Sequence, residues 1–483
     1  MTTALDTALA AHSPRLAPPP TPWRAAAIHG AVALLWVVLL ARALFLTGVF
    51  AWSAGIAYVG YDTVLLVFVF ALTLDLARPR ARAHAPGGHA GSIGVIIAAY
   101  NEAAVLPATL QALWSQTTPP DRIVIADDGS TDGTASLLAA RFGLARPAEG
   151  AISPPSTTHP GLYWLRVAHG GKARALNAAL LETPTDLVLT VDADTHLEPD
   201  AVAAMADAFA ADPHLVAATG VLTPVCGPSL EGRVLQWFQT YEYVRNFLSR
   251  HAWARLDSLL LISGAFAGFR RAPVMTVGGF DTACLVEDYE LIHRLRRHGA
   301  QNGLGWTTAV LGTALGRTSA PGTLGAFLRQ RRRWFGGFLQ TQYWYRDMCG
   351  ARAYGWLGLA MLPVKAIDTM QPIYGLTALG LLFYYLVTGH LAVAFPVAGI
   401  IGAKIMLDFA YHLWSVQLYR RWVGGRTRVS LGPAFAASLL EPFTFQALRH
   451  LGAAWGWGAF LAGSRRWGAQ QTRQGLDQAA ERV

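Results

Sequence analysis

The chain is poor in charge. Of its 483 residues only 14% are charged, against 53% hydrophobic, a balance too apolar for two or three ordinary soluble domains. Its three cysteines, Cys226, Cys284 and Cys349, lie far apart without metal-ligand spacing. That argues against a disulfide framework or a zinc site and leaves reduced thiols as the simplest reading. Neither a G-x-G-x-x-G fingerprint nor a Walker loop is present, which argues against dehydrogenases and P-loop NTPases. There is no internal repeat. The N-terminus shows no cleavable signal pattern: Pro-rich residues 17–22 lead into an apolar run too long for a signal h-region. The net charge of +9 could suggest nucleic acid, yet the arginines gather beside apolar segments rather than along an aromatic-interleaved face. No nucleic-acid partner is expected; a positive-inside membrane topology explains the arginines better.

What is present is apolar sequence at both ends of a polar centre. Residues 25–76 hold two spans, flanked by Arg15 and Arg24 before and Arg78, Arg80 and Arg82 after. Basic flanks on both sides make a hairpin with its ends in the cytoplasm. Residues 1–24 are expected to be a disordered cytoplasmic tail. Residues 357–463 supply the C-terminal membrane segments: runs at 371–389 and 391–414 are each close to the roughly 20 residues a bilayer needs. The last run, 431–463, is interrupted by Glu441-Pro442 and Arg449-His450, so it reads as one tilted span or two short halves. Residues 464–483 are a second cytoplasmic tail.

Between them, residues 90–350 read as one cytoplasmic α/β domain ending in interfacial helices. Continuous apolar runs at 93–98, 122–126 and 187–191 each stop at polar or acidic residues, the pattern of buried parallel strands opening into loops. An open, mostly parallel sheet binds ligands at those strand ends. Four motifs sit there in order: Asp127-Asp128-Gly129-Ser130, Asp192-Ala193-Asp194, Val286-Glu287-Asp288 and Gln330-Arg331-Arg332-Arg333-Trp334. Each is weak alone. Asp127 suits an Asx turn as well as a ligand, and Glu287-Asp288 suits the start of a helix. Asp192 and Asp194, as alternate strand residues, share a face and can address one ligand. Arg331 and Arg332 are expected to face headgroups or solvent. In the membrane segments, Lys365 with Asp368 and Lys404 with Asp408 have helical i,i+3 and i,i+4 spacing, either as a polar path or as self-paired charges.

Taken together, the ordered motifs resemble the processive, membrane-integrated family 2 glycosyltransferases, the cellulose, chitin, hyaluronan and poly-N-acetylglucosamine synthases. The resemblance implies a GT-A α/β domain flanked by transmembrane helices. It assigns the base to Asp288, beside Glu287, and donor binding to Tyr100, Glu102, Asp128, Lys172, Asp192, Gln330 and Arg333. Trp334 is assigned to the acceptor sugar, and Asp194 with Asp192 to a Mg²⁺ or Mn²⁺ ion. Val286 departs from the family's Thr at that position. The implied activity is inverting transfer from a UDP-sugar, N-acetylglucosamine or glucose favoured, to a growing β-linked polysaccharide. The enzyme would sit in the inner membrane with accessory export proteins as candidate partners. Two rivals stay open: a non-processive transferase adding one sugar to a lipid carrier, and a transporter with a nucleotide-sensing domain.

Overall fold

The computed structural model describes residues 4–46, 48–78, 91–427 and 429–463. The tail at 464–483 and the arginines at 80 and 82 lie outside the described residues.

Eight strands form one sheet: β1 (Ile93–Ala99), β2 (Arg122–Asp127), β3 (Leu162–Arg166), β4 (Leu187–Val191), β5 (Thr195–Leu197), β6 (Leu215–Val225), β7 (Phe266–Arg270) and β8 (Thr307–Ser319). Their order is β3-β2-β1-β4-β7-β6-β8-β5. β1 pairs in parallel with β2 and β4, and β2 with β3. β7 then runs antiparallel to both β4 and β6. β6 runs parallel to β8, and β5 antiparallel to β8, so the sheet is mixed with parallel pairings in the majority. Its parallel half is the part the apolar runs foretell: Val95, Ile96, Ile97, Val124 and Ile125 are fully buried, as strands covered on both faces must be. β8 alternates buried and more open positions along much of its length, a fainter signal that leaves it hidden in the sequence.

Among the described residues, four helices are long and apolar enough to cross a membrane: Trp23–Phe45, Gly48–Ala77, Leu357–Val387 and Leu391–Trp422. The final apolar run is broken into Leu431–Leu440 and Phe445–Leu461 by a short turn at Glu441–Phe443. Pro442 cannot donate a backbone hydrogen bond at that turn. The helix Phe445–Leu461 lies against Leu324–Trp344, and glycine permits the close approach. A Cβ on Gly452 would come within 2.6 Å of the Arg331 Cβ, and one on Gly456 within 2.7 Å of the Phe335 Cβ. Small residues one turn apart let two backbones touch in this way.

The N-terminal tail departs from the expectation of disorder. Ala4–His12 is a helix with Leu5 and Leu9 buried. It docks on Gly278, where φ is +92° and any Cβ would meet the Leu9 backbone nitrogen at 2.2 Å. Arg15 then donates to Asp281 through Nε and NH2, at 2.8 and 3.0 Å. Short length and an Ala-rich composition conceal this helix, because its stability comes from docking rather than from propensity.

Candidate active site

The strand order β2-β1-β4 places three carboxyl-end loops side by side, and each carries part of one constellation. After β1, Asn101 adopts a positive φ of 58° and its side-chain oxygen accepts from the backbone of Thr131 and Asp132, at 2.7 and 3.2 Å. The loops after β1 and β2 are thereby latched together. Tyr100 stacks on His169, ring centroids 4.3 Å apart. Asp127 makes the Asx contact, accepting from Ser130 N at 2.8 Å. Asp128 instead reaches across to the loop before Lys172, its two oxygens accepting from Gly170 N at 2.8 Å and Gly171 N at 2.9 Å.

Asp192 and Asp194 lie in the turn between β4 and β5, not on the strand itself. Their shared orientation therefore comes from that turn, which Thr195 N closes onto Asp192 O at 2.9 Å. Lys172 begins its helix with Nζ on Asp192 and 3.9 Å from Glu287. Burial opposes its charge, but the Asp192 and Glu287 carboxylates outweigh that and hold the ammonium above its ordinary pKa. The Glu287 carboxyl is pushed up chiefly by burial, against the pull of Lys172.

Glu287 and Asp288 start the helix Glu287–Gln301. The Asp288 Oδ2 accepts from Gly264 N at 2.7 Å and Oδ1 from Tyr289 N at 2.9 Å. Val286 makes no side-chain cap. It packs instead against the helix Leu324–Trp344, where a Cβ on Gly337 would meet its side chain at 2.4 Å. That second helix carries Gln330, Arg333 and Trp334, and Thr323 caps its start by accepting from Ala326 N. Arg333 donates to Leu285 O at 3.2 Å, which ties it to the segment leading into Asp288.

All eleven candidate residues line one cavity of about 910 Å³. The cavity does not stop at the domain. It continues between the long apolar helices, where Lys404 pairs with Asp62 at 2.6 Å and also with Asp408, and Lys365 pairs with Asp368 at 2.8 Å. The i,i+3 and i,i+4 pairs read from the sequence do form, with Asp62 from a second helix added. The only lysines in the chain, Lys172, Lys365 and Lys404, all face this one space.

Other residues of the site escape sequence reasoning. Arg331 is buried, not facing headgroups. It makes a two-pronged pair with Glu242, at 2.9 and 2.7 Å, and lies 4.5 Å from the centroid of the Trp334 ring. Arg449 joins the same carboxylate at 3.2 Å. Arg332 lies 5.1 Å from the centroid of the Trp455 ring. Eighty-nine residues separate Arg331 from Glu242, so no local spacing announces the pair.

A mixed sheet with acidic loops at its strand ends, joined to long apolar helices, defines a GT-A-like fold with membrane-crossing potential. Residues 94–278 match the family "Glycosyl transferase family 2" and residues 187–402 match "Glycosyl transferase family group 2". The chain is a family 2 glycosyltransferase. It is 28% identical over 248 residues to the poly-β-1,6-N-acetyl-D-glucosamine synthase of Staphylococcus aureus strain COL, covering 51% of this chain and 54% of that protein. Its identity to the same synthase of Staphylococcus epidermidis strain RP62A is 27% over 248 residues, with the same coverage. The chain thus spans about half the length of the curated relatives it matches. Among solved structures it resembles the mannosyltransferase PcManGT from Pyrobaculum calidifontis, in complex with GDP-Man and Mn²⁺. The TM-score is 0.53 at 20% identity, over 82% of this chain and 99% of that one.

Proposed function

We propose that this chain is an inverting polysaccharide synthase of the inner membrane, its catalytic domain cytoplasmic, using a UDP-sugar with N-acetylglucosamine or glucose favoured. One observation carries the reading. A single cavity joins the acidic strand-end loops to a polar space between membrane helices, a continuity that a transporter with a separate sensing domain does not need.

In this reading Tyr100, Glu102, Asp128 and Lys172 take the nucleotide side of the donor. Gln330 and Arg333 face its diphosphate, and a planar guanidinium suits phosphate oxygens. Gln330 Oε1 is buried without a hydrogen-bond partner among the described residues, and an acceptor of this kind suits a sugar hydroxyl rather than a phosphate oxygen. Asp194 and Asp192 would hold the divalent ion. No group of three or more His, Cys, Asp or Glu side chains that could hold a metal occurs among the described residues. Two carboxylates nonetheless fit Mg²⁺ or Mn²⁺, which bind through one or two carboxylates together with substrate phosphates. When bound, such an ion neutralises charge on the leaving diphosphate.

Asp288 removes the proton from the attacking acceptor hydroxyl. The hydroxyl oxygen bonds to the anomeric carbon as the bond from that carbon to the diphosphate oxygen breaks, so configuration inverts and UDP departs. Glu287 and Lys172 hold the charge balance beside it. Trp334 stacks under the acceptor sugar, and the elongating chain passes between the membrane helices.

The test is a donor screen on purified protein in detergent, reading UDP release and product size together. Long polymer is expected with one UDP-sugar. A product extended by a single sugar would transfer the reading to the lipid-carrier enzyme. No UDP release with any donor would overturn it. Trp334→Ala should separate the two readouts, keeping donor hydrolysis while long polymer disappears.

A further inference from the structure

Arg250 is a poorly satisfied charge lining the cavity. It lies on the helix Leu230–Ala254, and its Nε and NH1 are shut off from solvent with no hydrogen-bond partner among the described residues. Its guanidinium carbon sits 4.5 Å from the centroid of the Phe247 ring, a contact that offsets part of the cost but satisfies no N–H. Tyr243, Asn246, Arg250 and Trp253 all line the cavity, and their 3-4-3 spacing puts them on one face of the helix. A buried donor without an acceptor is costly, and an unsatisfied guanidinium beside a cavity is the kind of group a ligand completes.

Its position says which ligand. Asp288 exerts its charge on both Lys172 and Arg250, while Arg250 in turn acts on Lys365 of the membrane helix. Asp192 and Glu287 of the donor side appear among the charges around Lys172, not among those around Arg250. Lys172, Asp288, Arg250 and Lys365 all line the one cavity. Arg250 lies within electrostatic reach of the base, where the acceptor must present its hydroxyl. Burial draws the Arg250 pKa down to about 10, so it stays charged at neutral pH.

We infer that Arg250 binds the saccharide acceptor, its Nε and NH1 donating to oxygens of the terminal sugar so that the reacting hydroxyl meets Asp288. This rests on the glycosyltransferase reading above. It makes Arg250 a specificity residue, favouring an acceptor that turns oxygens toward this helix.

The experiment uses the full chain in detergent, with a β-linked N-acetylglucosamine trisaccharide as acceptor and saturating UDP-sugar. Arg250→Gln should raise the acceptor KM roughly 10- to 100-fold, the loss of charged hydrogen bonds to a neutral partner. The UDP Kd, by calorimetry, should stay within about 2-fold. Arg250→Lys should be intermediate, since it keeps the charge and loses the fork. An unchanged acceptor KM in the Gln variant overturns the assignment, and so does a UDP Kd that worsens in step with it. If the Gln variant is not recovered as a monodisperse protein, the Lys variant decides: a several-fold rise in acceptor KM supports the inference and an unchanged value overturns it. A wild-type enzyme that binds UDP but transfers to no saccharide would instead sink the functional reading on which this inference stands.

Discussion

Glu242 holds two guanidinium groups, and removing its carboxylate should cost more stability than its position mid-helix suggests. Both members of the Arg331–Glu242 pair are almost wholly buried, with side chains 5% and 2% exposed. Three donor contacts, at 2.9, 2.7 and 3.2 Å, converge on the one carboxylate. Taking one partner from a buried ion pair leaves the other charge uncompensated, at about 3–5 kcal/mol. Arg449 can escape part of that loss, because its side chain is 30% exposed and already lies 3.5 Å from Glu441. Arg331 cannot. Glu242→Gln should therefore lower the apparent Tm in detergent by about 3–5 °C, followed by tryptophan fluorescence or by loss of the monodisperse peak. The double variant Glu242→Leu with Arg331→Met should recover most of it, since apolar replacement of a whole buried pair is often neutral. A Glu242→Gln protein melting within about 1 °C of wild type would refute the reasoning and make the pair an ornament of the fold.

Three further outcomes are expected. Asp288→Asn keeps an oxygen for Gly264 N but cannot take a proton, so turnover should fall by at least about 100-fold while UDP affinity persists; near wild-type turnover would remove Asp288 as the base. Chelation by EDTA, or Asp194→Ala, should weaken donor binding in calorimetry, with Mg²⁺ or Mn²⁺ restoring the chelated wild type, whereas undiminished binding in metal-free buffer would exclude the assigned ion. Burial pushes the His293 pKa down from an ordinary 6.5 to about 4. As pH falls from 6.5 to 4 the unfolded chain gains a proton at this position that the folded chain resists, so stability should decline by up to about 3 kcal/mol. His293→Gln should flatten that part of the Tm–pH curve, and an equally steep variant would show that other groups govern it.

The parts legible in the sequence are those where local chemistry and position coincide. Apolar runs that stop at Tyr100, Asp127 and Asp192 announce strands and the loops that follow them, because burial on both faces and an abrupt polar end are local properties. The turn geometry of Asp192 and Asp194 was hidden, since a strand that stops one residue earlier has almost the same composition. The Arg331–Glu242–Arg449 cluster and the orphaned Arg250 were hidden for a different reason. A buried arginine and a surface arginine look identical in sequence, and only the packing of distant helices decides which is which. Ala4–His12 is illegible on the same ground: its partner is Gly278, a residue more than 260 positions away.

The confinement of every lysine to one cavity has a practical consequence. Each of the three is paired with a carboxylate and turned toward the same interior space, while arginines supply the other strong bases of the chain. Amine-directed acylation or crosslinking at lysine, and cleavage by a lysine-specific protease, therefore have almost nothing to attack on the outside of the folded protein. Chemistry at lysine becomes a reporter of the interior. Protection of Lys172, set against protection of Lys365 and Lys404 and read by mass spectrometry from a single labelled sample, would trace which stretch of the cavity an added ligand occupies.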